Sequence, residues 1–171
     1  AAVAYVVNLA SWDRNLAPRG GEHEDRFRAD KSGVEGDEFI CIHNPPLRMV
    51  VVGAVHIAQP LVRMARDCGY DVTLIDPREA FGSATRFPGE TILNDWPDEA
   101  MAALKSGVFY LGCLGSTRTH AKRVARLTEA GFTEADIARI HAPVGLDIGA
   151  KSPGEIAVSV MAQITQVLRR G

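Results

Sequence analysis

The run Met49-Val-Val-Val-Gly-Ala-Val-His-Ile-Ala58, followed by Val72-Thr-Leu-Ile-Asp76, narrows the choice of folds more than any other part of the chain. Met49 to Val52 is short, apolar and rich in β-branched residues, the pattern of a parallel strand covered on both faces. Gly53 ends it, and from Ile57 the residues Ile57, Leu61, Met64, Ala65 and Cys68 recur at helical spacing. Pro60 falls in the first helical turn, where its missing N–H costs nothing, and Gly69 marks the stop. A second apolar run then closes on Asp76. Strand, helix and strand in this order make a βαβ unit, so the spacing predicts an α/β chain with a doubly wound, mostly parallel sheet. The helix start after Gly53 offers backbone N–H groups and a positive dipole end, which suit a phosphate.

Asp76 follows Gly53 by 23 residues (76 − 53), near the spacing at which an acid meets a ribose hydroxyl in the Rossmann fingerprint. Laid on Gly53, the G-x-G-x-x-G pattern puts Val55 at the second glycine and Ala58 at the third. Ala58 is small enough for close helix packing. Val55 is a departure, because a β-branched side chain obstructs a pyrophosphate that must approach the backbone. Two readings follow: a nicotinamide dinucleotide site, or a Rossmann-like scaffold that kept the turn for another phosphorylated ligand or for none.

Composition excludes several classes. A chain of 171 residues buries one sizeable core with room for a small appended lobe. Its net charge of −2 leaves no basic footprint for nucleic acid. No apolar run reaches the length of a membrane span, and residues 1–10 lack the pattern of a signal peptide. Cys41, Cys68 and Cys113 are odd in number and have no C-x-x-C spacing, which argues against a disulfide framework and a thiolate zinc site and fits a reducing cytoplasm. His56, His120, His141, Asp76 and Asp147 are residue types that bind metals, but no pair among them has the i, i+4 spacing of helical ligands, so no metal site is assigned.

Two regions differ in character. Residues 1–10 read as one strand, with Val3, Tyr5 and Val7 alternating, whereas Ser11 to Asp37 is glycine-rich, charged and poorly periodic and reads as a fragmentary lobe or long loop. Pro45-Pro46 makes the boundary, giving a small N-terminal lobe over 1–46 and the main domain over 47–171. In the main domain the pattern predicts a weak strand over Glu90–Leu93, a short helix over Asp98–Leu104 and a strand over Val108–Leu111. Helices follow over Thr117–Ala130, with Val124 and Leu127 inward, and over Thr133–Ile140. The last helix is the best marked: Ser152-Pro-Gly-Glu155 joins an N-cap, proline at N1 and the capping-box acid, before apolar residues at 156, 157, 160, 161, 164, 167 and 168.

Two further segments carry chemistry. Gly115-Ser-Thr-Arg-Thr-His120 lies where a strand gives way to a helix, so hydroxyls, a guanidinium and an imidazole gather at a helix N-terminus on the edge where α/β sheets bind ligands. Plain capping by Ser116 or Thr117, with Arg118 and His120 solvated, is the alternative. Asp147 sits in a glycine-bearing loop, flanked by Leu146 and Ile148, whose burial would aim the acid. The candidate site is therefore Gly53, Ala54, His56, Asp76, Arg78, Gly115, Ser116, Thr117, Arg118, His120 and Asp147. Their roles are phosphate cradle (the Gly53 turn), polar anchor (Asp76), anion clamp (116–120) and second-side contact (Asp147).

The segments Gly53-Ala-Val-His-Ile-Ala58, Ile75-Asp-Pro-Arg78, Arg86-Phe-Pro88, Tyr110-Leu-Gly-Cys-Leu-Gly-Ser-Thr-Arg-Thr-His120 and Ile140-His-Ala-Pro-Val-Gly-Leu-Asp-Ile-Gly-Ala-Lys-Ser-Pro-Gly-Glu-Ile-Ala157 resemble the xanthine dehydrogenase accessory factors, the XdhC/CoxI family, over nearly all of residues 47–171. The resemblance implies a cytoplasmic, often homodimeric factor, a cofactor-binding chaperone more than an enzyme. Such a factor binds molybdenum cofactor in its molybdopterin form, protects it during sulfuration and assists its insertion into a molybdenum hydroxylase such as xanthine dehydrogenase. It also implies a Rossmann-like C-terminal domain and a smaller N-terminal one.

The chain departs from that pattern twice. Where the family has Ser-Gly-Gly-Cys-Val-Glu, this chain reads Lys31-Ser-Gly-Val-Glu-Gly36, without the cysteine, so no catalytic residue is named. Between Leu104 and Val108 the family has a further strand ending in Thr-His-Asp. Its loss leaves the central edge beside the Gly53 strand unpaired unless Val108–Leu111 moves inward. Two other functions stay open: an NAD(P)-dependent oxidoreductase, and a scaffold that acts only through protein contacts.

Overall fold

The computed structural model describes residues 1–94, 107–114 and 116–170, and the chain divides into two compact units, Ala1–Pro46 and Leu47–Gly171. In the first unit, β1 (Val3–Asn8) pairs antiparallel with β2 (Arg14–Pro18) on one side and β4 (Glu38–His43) on the other, and β3 (Gly33–Glu35) extends β4. The order is β2-β1-β4-β3. Period-two alternation sends Ala4, Val6 and Ile40 to one face, where Phe27 of α1 (Glu24–Ala29) closes a small core. Asn8 shapes the exit from β1, its Oδ1 accepting the N–H groups of Ala10 and Ser11, both at 2.9 Å. Asp30 ends α1 at φ +52°, and Asn44 Nδ2 fastens that end by donating to Phe27 O and Asp30 Oδ1. Ser11–Asp37, read as a fragmentary lobe or a long loop, holds a strand, a helix and a second strand, which corrects the long-loop alternative. Each is short and buries one or no side chains, so no apolar period marks them.

The second unit is built on three parallel strands, β5 (Arg48–Val52), β6 (Asp71–Ile75) and β7 (Thr91–Leu93), in the order β5-β6-β7. The helix α2 (Ala58–Asp67) crosses from β5 to β6. Met49, Val51, Val72, Leu74 and Ile92 share one sheet face and pack with Ala58, Leu61, Val62 and Ala65 of α2. Ala157, Val160, Met161 and Ile164, from the long C-terminal helix Pro153–Arg170, complete this core. The prediction that β5 is covered on both faces is corrected. Val50 and Val52 are 59% and 43% exposed, because both core helices pack on the opposite side of the sheet.

A second parallel pair, β8 (Leu111–Gly112) with β9 (Ile140–His141), is flanked by α3 (Thr117–Glu129) and α4 (Glu134–Ala138). The C-terminal helix is then α5 (Pro153–Arg170). Only Leu111 of the predicted Val108–Leu111 strand is in a strand, and Val108 and Phe109 are exposed. Apolar, β-prone residues do not hold a strand without a ladder partner, and β9 reaches only Leu111 and Gly112. Among the described residues β5 pairs with β6 alone, and Leu111 pairs with β9 rather than moving in beside β5. The helix expected over Asp98–Leu104 lies outside the described residues.

The capping box of α5 forms: Glu155 Oε2 accepts from the N–H groups of Ser152 (2.8 Å) and Lys151 (2.9 Å), while Ser152 Oγ accepts from Glu155 N–H. These donors hold the Glu155 carboxyl below its ordinary value. The loop before α5 is pinned at Gly145, whose N–H donates to Gln163 Oε1 at 2.8 Å and whose carbonyl accepts from Gln163 Nε2 at 3.3 Å. Tyr110 Oη donates to the same Oε1, and Leu146 N–H reaches Ser159 O. Gly145 has φ +98°, and a Cβ there would run into Ser159 Oγ.

Gly145→Ala should therefore cost about 2–4 kcal/mol, from left-handed strain plus overpacking. Gly149→Ala, at φ +75° with open space around it, should cost only about 1 kcal/mol. Urea denaturation of the two variants measures the difference.

Candidate functional site

The turn between β5 and α2 is shaped by Gly53, whose φ of +97° no β-branched residue tolerates. Gly53 N–H donates to Ile75 O at 2.8 Å, which lays the turn across the end of β6. Ala54 then donates its N–H to Asp76 Oδ2 at 2.7 Å. The next amides, on Val55, His56 and Ile57, have no acceptor among the described residues, and Ile57 caps α2 without a side-chain bond. Adjacent unpartnered N–H groups at a helix start form an anion nest. His56 is exposed beside them and Val55 is half-buried.

Asp76 is fully buried, and both its oxygens are in use. Oδ1 accepts from the N–H of Arg78 (3.0 Å) and its Nε (2.9 Å), and Oδ2 accepts from Ala54 N–H and from Arg78 Nη2 (2.8 Å). Four donors fill the acceptor capacity of a carboxylate. The Arg78 guanidinium, then the two backbone N–H groups, hold the acid far below the usual carboxylate range despite its burial. The Asp76 pair in turn raises Arg78. In this geometry Asp76 offers nothing to a ribose hydroxyl and instead fixes the turn.

Arg78 is half-exposed and lies over the Phe81 ring, 4.2 Å from its centroid. Arg86 approaches the same ring at 5.6 Å and donates through Nη1 to Ala54 O (2.9 Å) and Phe81 O (2.8 Å). Among the described residues Arg86 pairs with no carboxylate, so it brings a net positive charge to the turn. Sequence reasoning left Arg86 and Phe81 out of the site. They join it through loop geometry that no local period encodes, although an arginine in a motif with no helical or strand role was a usable signal.

The remaining candidates are placed less closely. Gly115 lies outside the described residues. Ser116, Thr117 and Arg118 are exposed at the start of α3, and His120 is half-buried with Nδ1 unpartnered among the described residues. Arg123 folds back to Leu114 O at 3.0 Å. The bonds that tie Gly53, Ala54, Asp76 and Arg78 together do not include this segment. Asp147 is exposed, and Ile148, expected to be buried beside it, is 55% exposed, because Gly145 and Leu146 rather than Ile148 attach the loop to α5. Among the described residues no three His, Cys, Asp or Glu side chains converge on a metal position, and no helix is long and apolar enough to cross a membrane.

Residues 49–164, which span this turn, both parallel strand sets and most of α5, match the model of the XdhC Rossmann domain. The chain belongs to the XdhC Rossmann-domain family. Its fold is accordingly Rossmann-like α/β. The uncharacterized protein YqeB of Escherichia coli K12 is 34% identical over 155 residues, covering 75% of this chain and 29% of that protein. The molybdenum cofactor insertion chaperone PaoD of the same organism is 33% identical over 143 residues, covering 80% and 45%. A Bacillus subtilis 168 protein named as a probable xanthine dehydrogenase subunit is 28% identical over 159 residues, covering 77% and 46%. The chain thus spans less than half the length of these curated relatives. A crystal structure of a Bacillus halodurans protein described as a xanthine dehydrogenase superposes with a TM-score of 0.72 at 23% identity, covering 99% of this chain and 61% of that one; this likeness concerns the fold.

Asp76→Asn should destabilise the protein by on the order of 2 kcal/mol at neutral pH, since one acceptor becomes a donor facing Arg78. The wild-type advantage is full above the unfolded carboxylate value of about 4 and shrinks as pH falls toward the depressed folded value. Thermal melts of both proteins from pH 7 to pH 3 follow the gap as it narrows.

Proposed function

We propose that the chain serves in the maturation of a molybdenum hydroxylase, binding molybdenum cofactor as cargo at the β5–α2 turn and assisting its sulfuration and insertion. The observation that carries this reading is the nest of amides at Val55–Ile57 with Arg86 beside it, in a chain 33% identical to a protein named a molybdenum cofactor insertion chaperone. A pyranopterin carries a phosphate, alone or within a nucleotide diphosphate, and an N–H nest with a guanidinium suits either form, since neither requires the dinucleotide pose that Val55 obstructs. Phe81, 40% exposed, offers a planar ring the part of its surface that Arg78 does not cover.

The same geometry weighs against the oxidoreductase reading. A nicotinamide dinucleotide needs a free acid for its ribose and an open second glycine position, and here Asp76 is fully engaged and Val55 fills that position. On this reading the chain holds and delivers its cargo rather than turning it over. The proposal includes a cytoplasmic location, a xanthine dehydrogenase-type hydroxylase as the receiving partner and a homodimeric assembly. Ser116, Thr117, Arg118 and His120 would clamp a second anionic group, and Asp147 would contact the far side.

Anaerobic calorimetry with molybdopterin cofactor, run in parallel with NAD and NADP, tests the reading. Stoichiometric binding of the molybdenum cofactor alone is the expected result, and Arg86→Ala should weaken it by about tenfold or more, the loss of a charge-assisted contact. Binding of NAD alone overturns the proposal in favour of an oxidoreductase, and binding of neither leaves a scaffold that works through protein contacts.

A further inference from the structure

The first unit holds a cluster of side chains independent of the phosphate turn. On β4 the core-facing residue is Ile40, so alternation puts Cys41 and His43 together on the opposite sheet face. Cys41 Sγ and His43 Nε2 are 3.5 Å apart. Across the ladder, beside β3, Ser32 Oγ donates to the same sulfur at 3.9 Å. The N–H of Ile42 donates to Ser32 Oγ at 2.9 Å, which turns the hydroxyl proton toward Cys41. Two polar groups therefore converge on one half-buried sulfur, His43 held in the β1–β4 pairing and Ser32, one residue before β3, held by the Ile42 N–H. Cys68 is exposed, and Cys113 is half-buried with its thiol pushed up by burial.

We infer that Cys41 is a nucleophilic thiol that exchanges with small disulfides, with His43 as its base and Ser32 as the donor that steadies the thiolate. His43 Nε2 takes the thiol proton. Cys41 Sγ then attacks one sulfur of the disulfide, the S–S bond breaks, and the departing thiolate carries away the electron pair and accepts the proton from His43. The products are a mixed disulfide on Cys41 and one free small thiol, and the incoming disulfide is the only oxidant. A thiol whose proton passes to an adjacent base attacks a disulfide faster than a thiol without one.

The test uses the full chain with 4,4′-dithiodipyridine, a neutral disulfide whose released thiopyridone is coloured. In the Cys68→Ser/Cys113→Ser protein, Cys41 should react at pH 7 about tenfold faster than Cys68 does in the Cys41→Ser/Cys113→Ser protein. His43→Gln should remove most of that advantage, Ser32→Ala a smaller part, and neither should change the rate at Cys68 in the same background, which separates loss of the base from general unfolding. Equal rates at Cys41 and Cys68 in otherwise unmodified chains, or a Cys41 rate indifferent to His43→Gln, overturn the inference. Circular dichroism establishes that each variant is folded, and if His43→Gln is not, the comparison of Cys41 with Cys68 decides alone.

Discussion

The second unit depends on one carboxylate placed where two strands end together. Asp76 lies one residue beyond β6, and its neighbour in space is the turn that leaves β5. A buried charge without partners would be ruinous, and here the cost is offset by four donors, two of them from the guanidinium only two residues along the chain. The same bonds that make Asp76 tolerable fix Ala54, from which the amides of Val55, His56 and Ile57 follow. Polar satisfaction and turn geometry are one arrangement.

The core supports that turn from below. Ala54 and Ala58 are buried where α2 starts, and their small side chains let the helix approach β5 and β6 closely. Leu74 and Val72 fill the space between α2 and α5. Each such residue contributes on the order of 2 kcal/mol by burial. The apolar layer formed with α2 and α5 lies on one side of the sheet, so the strand ends are held from that side while Val50 and Val52 face outward.

The sequence was readable where a residue's role is set by its near neighbours. The alternating strand in residues 1–10, the β5–α2–β6 unit and the Ser152–Glu155 box all rest on periods or caps spanning a few residues, and the structure has each of them. Legibility failed where partners decide. Arg14–Pro18 is a strand because Val3–Val7 lies beside it, not because of its own composition, whereas Val108–Tyr110 has the composition of a strand and no strand partner among the described residues. Asp76 was visible as an acid at the right distance from Gly53, but its use was not. Sequence spacing cannot say whether a carboxylate faces a ligand or the arginine two positions on. Arg86 and Phe81 escaped for the same reason, and the Cys41–His43 pair is visible as an i, i+2 spacing only after β4 is known to be a strand.

Ser159 and Gln163 stand one helical turn apart on α5 and both meet the loop at Gly145 and Leu146. The apolar stripe of α5 is broad, and contacts among Ala157, Val160, Met161 and Ile164 are non-directional, so by themselves they would let the helix roll about its axis. The bonds from Ser159 O and the Gln163 amide are directional and would be lost within a fraction of such a roll. The angular setting of the longest helix is thus indexed by two polar positions. Variation among family members at Gly145, Ser159 and Gln163 would be felt as rotation of α5 rather than as simple loosening of the core.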